Sequence, residues 1–179
     1  SQVAGQDQVN TTRDLVASPS ITEIKAGEQQ LIRIIRIAPQ NTAVEQTYRL
    51  LIDELPSSGQ ADAQTGLQLL LQYSIPVFIK PTDSIAMRNG LTLLNQVNFQ
   101  YQAQQLIVKN NAKSHIRISE LTYINPNGER IPLINGLVGY ALAGQSMRWD
   151  IPESKKILPN GKFEARINSD GLAQLLPIQ

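Results

Sequence analysis

The stretch of residues 67–79 constrains the fold of this chain more than any other segment. Its residues alternate with the period of two that places side chains on one face of a β-strand, and the odd-numbered face carries leucine, tyrosine, isoleucine and valine. Pro76 cannot donate a ladder hydrogen bond, so it favours an edge strand or a bulge. No residue of the stretch is charged, although exposed edges usually carry charge. The pattern predicts a long strand whose edge is either covered by the protein or offered to a partner.

Composition excludes several functional classes. The chain has 179 residues, enough for one large or two small domains, and its net charge of +1 does not favour nucleic acid or an anionic membrane surface as a partner. It contains no cysteine, which removes disulfides, thiolate nucleophiles and cysteine metal sites together. Because no apolar run approaches roughly 18 residues, we expect no membrane insertion.

Short strands separated by turn signals recur along the rest of the chain. In the first half they are predicted at residues 21–24, 30–37 and 45–55. In the second half they are predicted at residues 97–101, 104–109, 115–124, 136–141, 146–151, 162–167 and 173–176. This spacing is typical of immunoglobulin-type sandwiches. We therefore predict an all-β protein with two domains, residues 1–81 and 82–179, in which residues 82–90 act as a linker.

The first half is short of strands for such a sandwich. Residues 1–81 supply about four convincing strands, whereas an immunoglobulin-like sandwich needs about seven. We expect that the N-terminal domain lacks its first strands in this chain, or that a partner supplies strands to it.

Signals of enzymatic chemistry are weak. The single histidine, His115, lies in an alternating strand, and no second histidine or cysteine exists to complete a metal site. The acidic residues are dispersed, glycine-rich phosphate loops are absent, and no serine has a base nearby in sequence. The sequence predicts a protein that is not an enzyme and that holds neither metal nor cofactor.

Several segments resemble the PapD-like family, the periplasmic pilus assembly chaperones of the chaperone–usher pathway. The matching segments agree in order, spacing and turn positions: residues 18–21, 26–34, 45–50, 54–56, 73–81, 139–144 with Trp149 after them, and 165–171. The motif Tyr-Ser-Ile-Pro-Val-Phe at residues 73–78 is similar to the archaic, Csu-like branch. The resemblance extends over nearly the whole chain.

The resemblance implies two immunoglobulin-like domains in an L or boomerang arrangement with a cleft between them. Chaperones of this family lend an edge strand to an incomplete pilus subunit, which is called donor strand complementation, and an outer-membrane usher then receives the subunit. On this basis Leu67, Leu69 and Leu71 would fill the subunit's groove, with Tyr73 as a further contact. Ile75, on the same face, either extends that contact or packs in the protein's own core, and the leucines too could be core residues.

The resemblance also implies a basic anchor in the cleft for the subunit's terminal carboxylate. In many relatives one anchoring lysine aligns with Pro76 of this chain, so the anchor must differ here. Arg33 and Arg36, embedded in an apolar strand, are the substitutes that the sequence offers. The family pattern implies a different role, in which Arg33 joins Glu45 and Asp170 in an internal salt bridge that fixes the domain angle. In either role a buried arginine must be paired.

Two other functional classes remain open. A pilus subunit or adhesin shares the immunoglobulin-like fold, but it is a single incomplete domain without the second domain predicted here. A carbohydrate-binding β-sandwich would expose aromatic side chains as a sugar platform, whereas only 5% of the residues are aromatic and Trp149 is expected in the core. The sequence therefore favours a periplasmic chaperone whose partners are pilus subunits and the usher.

Overall fold

The computed structural model describes residues 1–3, 5–37, 42–56, 69–81, 94–155, 157–168 and 171–178. Within these ranges the protein is all-β, as predicted, and helix is almost absent. The first part of the chain contains β1 (Gln2–Val3), β2 (Gln6–Asp7), β3 (Leu15–Ser18), β4 (Arg33–Arg36), β5 (Gln46–Asp53) and β6 (Gln72–Ile79). The second contains β7 (Val97–Gln102), β8 (Gln105–Asn110), β9 (Ile116–Ile124), β10 (Arg130–Ala141), β11 (Ser146–Asp150), β12 (Lys162–Ile167) and β13 (Gln174–Leu175).

The second part, residues 94–178, is a two-sheet sandwich around a continuous core. One antiparallel sheet has the order β10-β9-β12-β13, and the other has the order β11-β8-β7. The strands alternate buried and exposed residues, so each sheet contributes one apolar face to the core. The largest fully buried apolar side chains of this core are Tyr123, Phe99, Leu106, Ile116, Ile118, Leu121, Ile151 and Val108.

Two glycines allow the large aromatic residues of this part to pack closely. A Cβ at Gly139 would lie 2.5 Å from the indole Nε1 of Trp149, and one at Gly161 would lie 2.0 Å from the Tyr123 hydroxyl. Trp149 packs against the core, as the sequence predicted. The Tyr123 hydroxyl donates to the Leu158 carbonyl at 2.7 Å and accepts from the Leu158 amide at 3.1 Å, so its burial leaves no polar atom unpaired.

The first part, residues 1–81, packs much more loosely. Its main strands form two antiparallel pairs, β3 with β4 and β5 with β6. None of the buried hydrophobic side chains belongs to the described residues of this part. Many of its large apolar residues are instead exposed, among them Val16, Leu31, Ile34, Ile35, Ile37 and Leu51.

Several strand predictions need correction. The strand predicted over residues 136–141 begins as β10 at Arg130, which already pairs with Ile124 of β9, and the one predicted over residues 30–37 is limited to β4. Residues 21–24 form no strand, because they have no ladder partner among the described residues and remain exposed. The strand predicted over residues 67–79 begins as β6 at Gln72, because its partner β5 ends at Asp53. Leu67 lies outside the described residues, as does the predicted linker. No helix within the described ranges is long and apolar enough to cross a membrane.

Candidate functional site

Strand β6 is hydrogen-bonded on one side. It pairs with β5 from Ile79 opposite Gln46 to Gln72 opposite Asp53, and the Glu54 amide extends the contact by donating to the Leu71 carbonyl at 2.9 Å. The described residues contain no strand on the other side of β6. Within the described part of the chain its second edge is therefore unpaired and can accept a further strand.

Pro76 has no backbone amide hydrogen, but its place in β6 costs no hydrogen bond to β5. Hydrogen-bonded and non-hydrogen-bonded pairs alternate along an antiparallel ladder. Because Glu54 and Leu71 form a bonded pair, Arg49 and Pro76, five positions further along, form a non-bonded pair. Pro76 therefore lacks only an amide that would have pointed away from β5.

The same alternation decides which backbone amides face the open edge. Tyr73 and Ile75 are in bonded pairs with β5, so their amides point towards β5. Gln72 and Ser74 are in non-bonded pairs, so their amides and carbonyls point towards the open side. These groups can bond to an added strand.

The predicted donor residues that the structure describes lie on or just before β6, and they are exposed. Their exposed fractions are 72% for Leu69, 54% for Leu71, 57% for Tyr73 and 44% for Ile75. Leu70, of opposite parity, is also exposed. An uncharged strand with apolar side chains on both faces and an unpaired edge is unfavourable in water, so this segment is suited to a partner that covers it.

The face of the β5–β6 pair that carries Arg49 and Phe78 borders a cavity of about 330 Å³ between the two parts of the chain. Arg49 and Phe78 line it from β5 and β6, and Tyr140 and Leu142 line it from the second part. Residues 7–12 complete its wall. Most of the side chains that line this cleft are polar and one is an arginine, so the cleft is suited to a polar chain end that carries a negative charge.

Arg49 makes two side-chain contacts at this cleft. Its Nη1 donates to the Ser74 hydroxyl at 3.1 Å, and its Nη2 pairs with the Asp7 carboxylate at 3.1 Å. It stands directly across the ladder from Pro76, the position that the resemblance described above aligns with an anchoring lysine. The sequence alone gives no signal for Arg49, because its position opposite Pro76 depends on the strand pairing.

The two arginines predicted as anchors lie elsewhere. Arg33 is exposed at the start of β4, where it pairs in register with Ser18 of β3. Arg36 donates from its Nη2 to the side-chain oxygen of Gln46 at 3.0 Å. Neither is among the described residues that line the cleft. Their role in binding stays a prediction.

Of the predicted internal salt bridge between Arg33, Glu45 and Asp170, the structure describes only Arg33 and Glu45. Glu45 is buried between the two parts, and its Oε1 lies 2.6 Å from Nδ1 of His115. The structure therefore places His115 beside Glu45, and in the described residues no bond joins Glu45 to Arg33. The described residues contain no cluster of acidic residues and histidine that could hold a metal ion.

A tyrosine hydrogen bond ties the two strand pairs of the first part together. The Tyr48 hydroxyl of β5 donates to Oδ2 of Asp14, just before β3, at 3.1 Å. Burial raises the pKa of Tyr48, and the hydrogen bond to Asp14 raises it further. The phenol therefore stays a neutral donor at physiological pH and holds β3 over β5.

One family model matches the first part of the chain. Residues 1–85 match the family model of the PapD N-terminal domain, described as a pili and flagellar-assembly chaperone. No curated protein matches the chain. A chain of the CsuC–CsuE chaperone–tip adhesion subunit pre-assembly complex, from the archaic chaperone-usher Csu pili of Acinetobacter baumannii, has a TM-score of 0.65 at 24% identity. That match covers 99% of this chain and 80% of the other.

Two further solved structures have the same fold. The YadV chaperone has a TM-score of 0.63 at 17% identity, with 90% of this chain and 76% of that chain covered. The Escherichia coli chaperone DraB has a TM-score of 0.61 at 15% identity, with 94% and 76% covered. The predicted immunoglobulin-like fold is confirmed by these matches, and so is the resemblance to PapD-like chaperones.

Proposed function

We propose that this chain, whose residues 1–85 match the PapD N-terminal chaperone domain, is a periplasmic chaperone that binds pilus subunits and delivers them to an outer-membrane usher. Residues 1–81 would form its subunit-binding domain, and residues 82–179 its second immunoglobulin-like domain. The observation that carries the proposal is the open, uncharged edge of β6, whose apolar side chains are exposed next to the cleft. The family match and the solved relatives support a chaperone in pilus assembly rather than an enzyme.

The geometry of this edge supports donor strand complementation as the way of binding. A subunit that lacks one strand exposes an apolar groove and an unpaired strand of its own. The outward amides and carbonyls of Gln72 and Ser74 would bond to that strand and set its register. Leu69 and Leu71 would enter the groove, and each leucine that becomes buried contributes roughly 1.5–3 kcal/mol. Leu67 continues the same parity outside the described residues, and Tyr73 and Ile75 extend it towards the cleft.

Arg49 is our proposed anchor for the subunit's terminal carboxylate. Its guanidinium already holds the carboxylate of Asp7, so its position and donors suit such a group. Because both partners are partly exposed, that internal pair is weak and can be exchanged. In a complex the cleft would be closed to water, and the charge-assisted bonds from Arg49 to a terminal carboxylate would then be stronger.

The test is co-expression of a tagged chaperone with a pilin-like subunit in a bacterial periplasm, followed by purification of the chaperone. We expect a one-to-one complex with the unaltered chain and its loss with Leu71→Glu, because a carboxylate cannot enter an apolar groove without a large desolvation cost. The matched control is Leu172→Glu, which alters another leucine that is 91% exposed but lies beyond the β6 edge. Equal yields of complex from both variants would contradict the donor-strand assignment.

A further inference from the structure

The hairpin formed by β1 and β2 places the side chains of Gln2 and Asp7 next to each other. The Gln8 amide donates to the Ser1 carbonyl at 2.7 Å, and the Ser1 amine donates to the Gln8 carbonyl at 3.0 Å. Gln2 and Asp7, the next pair along this ladder, are therefore a non-bonded pair, whose side chains lie close together on one face. Nε2 of Gln2 donates to Oδ1 of Asp7 at 3.0 Å. The position of the Asp7 carboxylate thus depends on that of Gln2.

Gln2 fastens this hairpin to the second part of the chain. Its side chain is buried, its Nε2 also donates to the Tyr140 carbonyl at 2.7 Å, and its Oε1 accepts from the Leu142 amide at 3.0 Å. Its own backbone amide donates to the side-chain oxygen of Gln145. Because both polar atoms of the buried side chain have partners, burial of Gln2 carries no unpaired group and stabilises the docked hairpin.

Gly5, between β1 and β2, provides a second docking contact. It forms a parallel bridge with Met147 of β11, and its φ of +78° is one that glycine adopts without strain. A Cβ at this position would lie 2.5 Å from Cγ of Arg148. Glycine therefore allows the hairpin backbone to approach β11 closely, and a larger residue here would separate the two.

The docked hairpin presents the Asp7 carboxylate to Arg49 across the cleft. Oδ2 of Asp7 lies 3.1 Å from Nη2 of Arg49, while its Oδ1 accepts the bond from Gln2. The Ser1 amine also lines this cleft, and it donates to the Gln8 carbonyl. A carboxylate of this chain therefore already occupies a donor of Arg49, the residue that we proposed as the anchor for a subunit's terminal carboxylate.

We propose that the β1–β2 hairpin is an internal competitor at this site, in which Asp7 stands in for the partner's carboxylate until the partner displaces it. The inference rests on the proposed carboxylate site at Arg49. Because the pair is partly exposed, it is weak enough to be exchanged. Because Asp7 is tethered by the docked hairpin, it is present at Arg49 at all times and raises the apparent Kd of any other carboxylate. A partner that also adds a strand to β6 overcomes this competition, whereas a lone carboxylate binds poorly.

The test is an NMR titration of the isotope-labelled full chain with N-acetylglycylglycine, a short peptide end with a free carboxylate, and with its carboxamide. We expect the carboxylate probe to bind Asp7→Asn about threefold more tightly than the unaltered chain, because asparagine can still accept from Gln2 but no longer neutralises Arg49. The carboxamide should bind both chains more weakly. Asp150→Asn is the matched control: it makes the same change at an exposed carboxylate of β11 that bonds to Gln105, and it should leave the Kd unchanged.

Gly5→Ala tests the docking of the hairpin separately from the charge. The added methyl group meets Arg148 at a positive φ, so the hairpin should leave β11 and the carboxylate probe should again bind more tightly. Binding to Asp7→Asn that is equal to or weaker than binding to the unaltered chain would overturn the proposal, and so would unchanged binding to Gly5→Ala. Absence of carboxylate binding in every chain would overturn it together with the Arg49 site. The chaperone function is tested independently, by subunit capture with Leu71→Glu.

Discussion

Strands β6 and β9 have similar sequence patterns and opposite environments. β9 alternates apolar residues, pairs with β10 on one side and β12 on the other, and buries Ile116, Ile118 and Leu121 completely. β6 alternates apolar residues as well, but it pairs with β5 alone in the described structure, and its first residues are exposed. The difference shows that alternation identifies a strand, whereas the neighbours of the strand decide whether its apolar face stabilises the fold or remains available to a partner.

The difference between the two parts predicts that their aromatic residues contribute very unequally to stability. Phe99→Ala removes a fully buried ring from the second core and should lower the free energy of unfolding by about 3–5 kcal/mol. Tyr73→Ala removes an exposed ring from β6 and should change it by no more than about 0.5 kcal/mol. Denaturant unfolding of both variants measures the two values. Similar losses would mean that β6 belongs to a core.

Two asparagines of the second sandwich test, at a smaller magnitude, whether burial decides how much a side chain stabilises the fold. The amide of Asn110 is fully buried, donates to the carbonyls of Ser114 and Ala141, and accepts from the Ala112 amide. Asn110→Ala should cost about 1–3 kcal/mol in unfolding free energy, because it leaves buried backbone groups unpaired. Asn98→Ala, at an exposed position on neighbouring β7, is the matched control and should be nearly neutral. An equal loss in both would show that the hydrogen bonds of Asn110 contribute little.

Arg49 tests whether the polar contacts of the first part serve binding rather than stability. Arg49→Ala should reduce subunit capture markedly while changing the unfolding free energy by less than about 1 kcal/mol, since its pair with Asp7 is partly exposed. Arg33→Ala, which alters an exposed arginine away from the cleft, should leave capture unchanged. Capture by pull-down and unfolding by denaturant separate the two effects. If Arg33→Ala alone abolished capture, the anchor would be the one that the sequence suggested.

The sequence predicted much of the architecture because strand alternation is a local property. Residues 97–101, 104–109 and 162–167 were placed within one residue of β7, β8 and β12. Residues 21–24 were placed wrongly because their apolar positions have no ladder partner, and pairing is not encoded locally. Likewise, Arg49 and the contact between Glu45 and His115 depend on residues far apart in sequence, so neither could be recognised before the strand register was known.

The measurement that tests the central claim most directly is residue-resolved hydrogen exchange along β6, with and without a bound pilus subunit. In the free chain, the amides of Tyr73 and Ile75 should be protected by β5, while those of Gln72 and Ser74 should exchange rapidly. On binding, protection should rise at Gln72 and Ser74, whose amides face the open edge, and should stay unchanged at Tyr73 and Ile75, whose amides face β5. A bound subunit that leaves the amides of Gln72 and Ser74 unprotected would contradict the account of β6 as the donor strand.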